Sequence, residues 1–163
     1  MANIGDIIFL MGIALMIGII VLISMYVNNQ IMASPVVNNT FTTQQKSLAT
    51  ISYNTVSMFD YLAVFIVFGI GLVGVISALY IHSNAVFFIF MIILQAIVIA
   101  VSTVFSNIWY SIATTTQLVT QANKMTYTTI IFNNLPLIIL GFTAMVGIVS
   151  YGVGKRKVSG YAD

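Results

Sequence analysis

Four stretches of the chain, Ile7 to Val27, Met58 to Ile81, Ala85 to Phe105 and Leu135 to Val153, are apolar almost without interruption. Each has about the twenty residues that an α-helix, rising ~1.5 Å per residue, needs to cross a hydrocarbon core ~30 Å thick. Helices of a soluble bundle keep a polar stripe for water, whereas here the apolar residues continue round the whole circumference. Of 163 residues, 60% are hydrophobic, and five Lys/Arg with three Asp/Glu are too few to screen that surface from water. The expected fold is an all-α integral membrane protein with four transmembrane helices running up-down-up-down. It forms a single membrane domain over residues 1–163, with the lipid bilayer as its first partner.

The aromatic residues test this division independently. Tyr and Trp favour the headgroup level, where an apolar ring and a polar tip are both satisfied; Phe has no such tip. Tyr26, Tyr61, Tyr80, Trp109, Tyr110, Tyr127 and Tyr151 fall at or beyond the ends of the four stretches, as do Tyr53 and Tyr161, while Phe65, Phe68, Phe90 and Phe142 fall inside. The first seven are expected to anchor the protein at the membrane interfaces.

The connections are unequal. Residues 28–57 and 107–128 are rich in Asn, Thr, Gln and Ser and are expected to be polar loops on one face. His82-Ser83-Asn84 is expected to be a tight turn on the other face, together with both termini. Lys155, Arg156 and Lys157, in a basic tail at 154–163, place the terminal face in the cytoplasm by the positive-inside rule, against Lys46 and Lys124 opposite. Asn133-Asn134-Leu135-Pro136 reads as a helix start, with an Asn side chain capping and Pro in the first turn, so the last helix begins near Leu135 and Thr126 to Phe132 approaches it along the interface. The N-terminal stretch lacks a basic leader region and carries Asp6, so it is expected to remain attached as an anchor.

Candidate sites are few. His82 has no second histidine and no nearby carboxylate in sequence, so a turn residue is the expected role. Gln95 is the deepest polar side chain; it cannot titrate, and an interhelical hydrogen bond is expected of it. Asp60 and Asp6 stand near the starts of their stretches, where a carboxylate complements the helix dipole and stays wet. Small residues at four-residue spacing, Ala14 with Gly18, Gly74 with Ala78 and Ala96 with Ala100, are expected to let helix backbones approach closely or to support self-association. Two further pairs, Ser102 with Ser106 and Thr143 with Gly147, have the same spacing, and Gly69, Gly71 and Gly74 make the second helix the most deformable. Asn38-Asn39-Thr40 matches a glycosylation sequon. The two polar connections contain no carboxylate or histidine, which suits an acidic exterior.

The same inventory narrows function. Cysteine is absent, and no Ser/His/Asp set, His pair for haem or Gly-rich phosphate loop is present, so no cofactor, metal or enzymatic activity is expected. The turn "IHSNAVFF" (Ile81 to Phe88), the helix end "VFSNIWYSI" (Val104 to Ile112), and a last helix entered through "NNLP" and leaving through "GKRK" (Gly154 to Lys157) resemble small four-span membrane proteins of membrane-containing viruses, namely tailless icosahedral phages and archaeal viruses. That resemblance implies a structural component of a viral or virus-modified host membrane. It would self-associate or meet other membrane or capsid proteins, with nucleic acid reachable only through the basic tail. The alternative is a cellular four-span transporter, channel or accessory subunit, which would run its path near Gln95.

Overall fold

The computed structural model describes residues 4–79 and 85–159. Every regular element among them is α-helical: α1 (Ile4–Ala33), α2 (Pro35–Thr40), α3 (Thr43–Leu79), α4 (Ala85–Ala113), α5 (Val119–Lys124), α6 (Thr126–Asn133) and α7 (Leu135–Ser159). Helices α1, α3 and α4 are each long and apolar enough to cross a bilayer, and a fourth crossing is available where α6 and α7, bent by 68° at Asn134, are taken together.

The long helices form a ring in the order α1, α3, α7, α4. Residue pairings set the directions. Asn28 Nδ2, late in α1, donates to the Ala49 carbonyl, early in α3, at 3.3 Å, so these two run antiparallel. Gly12 faces Phe105 and Gly18 faces Trp109, so α1 and α4 run parallel. Asp60 meets Thr128 and Gly71 meets Phe142, so α3 runs parallel to the α6–α7 arm. The path is up-down-up-down, but α3 and α4, consecutive in the chain, lie across the diagonal of the ring and are not close-packed neighbours among the described residues.

The expected polar loops are largely helical. Helix α3 has 37 residues, which at ~1.5 Å per residue is about 55 Å of helix against ~30 Å of hydrocarbon, so its polar N-terminal part stands outside the membrane. Two features hold that part in a helix. Thr42 and Gln45 form a reciprocal capping box: the Gln45 amide donates to Thr42 Oγ1 at 3.3 Å, and the Thr42 amide donates to Gln45 Oε1 at 2.9 Å. Further on, the hydroxyls of Thr50, Thr55 and Ser57 donate back to the carbonyls of Lys46, Ile51 and Asn54, so these polar side chains bond along the helix instead of unwinding it. The second connection is likewise occupied by the end of α4, by α5 and by α6. At the other terminus, α7 runs on to Ser159 and carries positions 155–157 within a helix.

The core is built where α1, α3, α4 and α6 converge. Leu22, Met25, Trp109, Met125, Phe132 and Leu135 are all essentially inaccessible. Trp109 stacks on Phe132 with ring centroids 5.2 Å apart and planes 25° from parallel. A methyl at Gly18 would stand 3.1 Å from Trp109 Cζ3, so the glycine lets α1 approach this stack. Gly71 does the same for Phe142 on α7: a Cβ there would overlap the phenyl ring, which rests edge-on against Phe68 at 5.8 Å. Helix α3 nonetheless runs unbroken through Gly69, Gly71 and Gly74, so these residues act through the space they leave.

Two neighbouring glycines should therefore respond oppositely. Gly71→Ala forces the Phe142 ring aside and should cost about 1–3 kcal/mol. Gly69→Ala, with nothing within 4 Å of its Cβ position, should add about 0.5–1 kcal/mol through helix propensity. Thermal unfolding in detergent micelles, followed by circular dichroism, measures both.

Candidate functional site, a buried carboxylate at a helix break

The arm that forms the fourth crossing is interrupted at Asn134, between α6 and α7, and is entered through a second break at Met125, between α5 and α6, which frees backbone groups at the start of α6. The first amides of a helix have no carbonyl one turn back to receive them. In α6 those amides belong to a turn that packs against α3 through the buried Thr128, and Met125, at the N-cap position, supplies no side-chain acceptor. Asp60, reaching across from the middle of α3, supplies it. Its Oδ1 accepts the Thr128 N–H at 2.7 Å and its Oδ2 accepts the Tyr127 N–H at 3.0 Å. Asp60 is 5% exposed and Thr128 1% exposed, so the bond between them is shielded from bulk solvent, while the bond to Tyr127 is partly buried.

The carboxylate therefore caps a helix to which it does not belong. Among the described residues no cation pairs with it, so its charge is balanced by two aligned amides and the positive end of the α6 dipole. Tyr61 and Tyr127, each adjacent in sequence to a bonded partner, lie together on the outside with centroids 5.1 Å apart. Inside, the Thr128 methyl, Phe132 and Trp109 converge on Gly18. The short helices are tied in as well: Thr129 Oγ1 donates to the Ala122 carbonyl at 3.0 Å, Ser106 Oγ donates to the Asn133 carbonyl at 3.4 Å, and Lys124 Nζ lies 5.1 Å from the centroid of the Tyr53 ring.

Several expectations are corrected here. Asp60 is neither wet nor at a helix start, because α3 begins at Thr43 and carries it inward as a mid-helix residue. Trp109 is wholly buried and its indole N–H meets no acceptor among the described residues, so it is a core residue and not a headgroup anchor. Asn134 does not cap α7; its Nδ2 donates backward to the Ile130 carbonyl at 2.8 Å and closes the end of α6. Ala96 and Ala100 are exposed on α4 and are not buried against another helix among the described residues.

Other predicted positions fall as follows. Tyr61, Tyr110 and Tyr127 are exposed and Tyr26 is half-buried. Ala14 and Ala78 are buried, while Gly74 has Val146 Cγ2 at 4.0 Å from its Cβ position. Gln95 Nε2 donates to the Thr143 carbonyl at 3.4 Å, joining α4 to α7. Asn38 to Thr40 end the short helix α2. His82 and Tyr80 lie outside the described residues, as do the side chains of Asp6, Tyr151, Lys155, Arg156 and Lys157. Sequence reasoning missed the partners of Asp60. The available signal was a carboxylate next to a tyrosine with no basic residue nearby, which says that a buried acid would need backbone donors, though not which ones.

No protein-family profile matches the chain, and no curated protein or solved structure is similar to it. The helices alone place the protein in a lipid bilayer as an integral membrane protein.

Removing the carboxylate should expose what it holds. Asp60→Ala strands the buried Thr128 amide and the partly buried Tyr127 amide, and should destabilise the protein by about 2–4 kcal/mol. Asp60→Asn keeps one acceptor and should lose about half as much. Hydrogen exchange at the Tyr127 and Thr128 amides should accelerate in the same order.

Proposed function

We propose that the protein is a non-catalytic structural component of a membrane, the bilayer of a virion or a virus-modified host membrane, which it shapes and links to a protein shell or genome. The observation that carries this reading is the use made of Asp60. It is the acidic residue in the interior among the described side chains, and both its oxygens are committed to holding α6 in place. Coupled transport needs a titrating group free to exchange protons or ions at membrane depth, and such groups normally face a cavity or a pathway. Among the described residues, the space between the helices beside Gln95 is lined by no charged side chain.

Two further features support the structural reading. The resemblance of "IHSNAVFF", "VFSNIWYSI", "NNLP" and "GKRK" points to small four-span viral membrane proteins. Lys155, Arg156 and Lys157 fall near the end of α7, where cations complement the negative end of the helix dipole and an extended helix can present them to an acidic protein face or to phosphate. In this reading both termini lie on the cytoplasmic side, which becomes the inner or shell-facing side of the membrane, and copies of the chain associate with one another.

The competing reading, a transporter or channel, predicts flux. Purified protein in proteoliposomes is expected to pass protons, potassium and chloride no faster than protein-free liposomes. A flux that is abolished by Gln95→Leu would overturn the structural role. In lipid-containing particles from the native source, the chain is expected at high copy number in the membrane fraction. The triple substitution Lys155→Ala, Arg156→Ala, Lys157→Ala should release the shell from that membrane without removing the protein from it.

A further inference from the structure

Between α1, α3, α4 and α7 the ring of helices leaves a cavity of about 160 Å³ that is partly open to the exterior of the bundle. It exists because the diagonal helices α3 and α4 do not close on one another and because α3 presents Gly74 where a larger side chain would fill the centre. Its wall is almost entirely hydrocarbon. Its two polar residues are Gln95 and Thr143, and the Gln95 amide is already bonded to the Thr143 carbonyl.

The geometry points to a binding site for the acyl tail of a bilayer lipid. Water is the first alternative, and the lining decides against it: an ordered buried water needs two to four polar partners, and an apolar cavity of about 150 Å³ stays dry and takes benzene or xenon instead. Leaving the space empty is also unfavourable, since every atom of the wall forfeits dispersion contacts. The helices that form the wall include α1, α3 and α4, each of membrane-spanning length and hydropathy, so the phase outside is itself composed of alkyl chains. A tail entering from that phase gives up one hydrocarbon environment for another and has no water to leave. This site is separate from the Asp60 cap and does not depend on the structural role proposed above.

The test uses full-length protein in phosphatidylcholine liposomes doped with a phosphatidylcholine that carries a diazirine near the end of one acyl chain. After irradiation, adducts are mapped by peptide mass spectrometry. Val98, Leu135 and Ile139 line the cavity and are at most 7% exposed, so the bilayer cannot label them from outside. Ile93 and Leu140 are exposed and report ordinary lipid contact. Wild-type protein should be labelled at both sets. Gly74→Leu, whose side chain grows into the cavity, should lower the adducts at Val98, Leu135 and Ile139 about tenfold and leave those at Ile93 and Leu140 unchanged. Gly69→Leu is the matched control, on the same helix and outside the cavity wall, and should label as wild type does. Val98→Phe fills the space from α4 and should repeat the effect of Gly74→Leu at Leu135 and Ile139 if that variant does not fold. Wild-type adducts confined to Ile93 and Leu140 would overturn the proposal without any variant, as would cavity adducts that persist in both filled variants.

Discussion

A bilayer offers no solvent for a broken helix, and this fold contains a break. The helix is interrupted at Met125, between α5 and α6, and again at the 68° bend between α6 and α7; the first interruption leaves the opening amides of α6 facing α3 without intrahelical carbonyls. The carboxylate of Asp60 resolves this from the neighbouring helix. Asp is a poor helix former and an expensive residue to bury, and each cost is offset by the same two bonds. The arrangement is reciprocal: α6 holds its position because Asp60 accepts from it, and Asp60 remains buried because α6 donates to it.

The packing around this contact follows from it. Once α6 is fixed against α3, its inner face sets Thr128 and Phe132 toward the centre, and Phe132 becomes the surface on which Trp109 stacks. Gly18 then determines how near α1 can come, because Trp109, Thr128 and Phe132 all lie within contact distance of the place a side chain would occupy. Trp109 is positioned by ring burial and stacking alone, its N–H having no acceptor among the described residues. Its location at the end of an apolar stretch, which suggests a headgroup anchor, follows from the helix extending past that stretch to Ala113.

What the sequence conveyed and what it hid separate along one line. The length and uniform apolarity of the four stretches announce membrane helices, since hydropathy depends on composition alone. The start of α7 at Leu135 was legible from the Pro that follows it. The helical state of residues 43–57 was not read from composition, since Thr, Ser, Asn and Gln are also the residues of loops. A local signal was nevertheless present in Thr42-Thr43-Gln44-Gln45, the spacing of a capping box. The Asp60 contact joins residues 67 and 68 positions apart, and no local pattern reports it. The same holds for Gly71 and Phe142, where the triplet Gly69, Gly71 and Gly74 suggested flexibility and the structure uses one of the three as a seat for a ring.

The two ends of the bundle are consequently held by different physics. Around Asp60, α3 is bonded to α6, α4 to the end of α6, α5 to α6 and α1 to α3, through side chains whose partners would be stranded if the helices parted. Around the cavity, Gln95 with Thr143 is the sole interhelical side-chain hydrogen bond among the described residues, and everything else is contact between hydrocarbon surfaces. Parting the helices at the first end takes a carboxylate and two amides from the partners that now satisfy them. Parting them at the second exchanges protein hydrocarbon for lipid hydrocarbon, at a cost set only by packing. The bilayer can therefore act on the cavity end of this protein while the Asp60 end keeps its shape, and the junction between the two regimes lies at the bend itself, where Phe132 and Leu135 belong to both the core stack and the cavity wall.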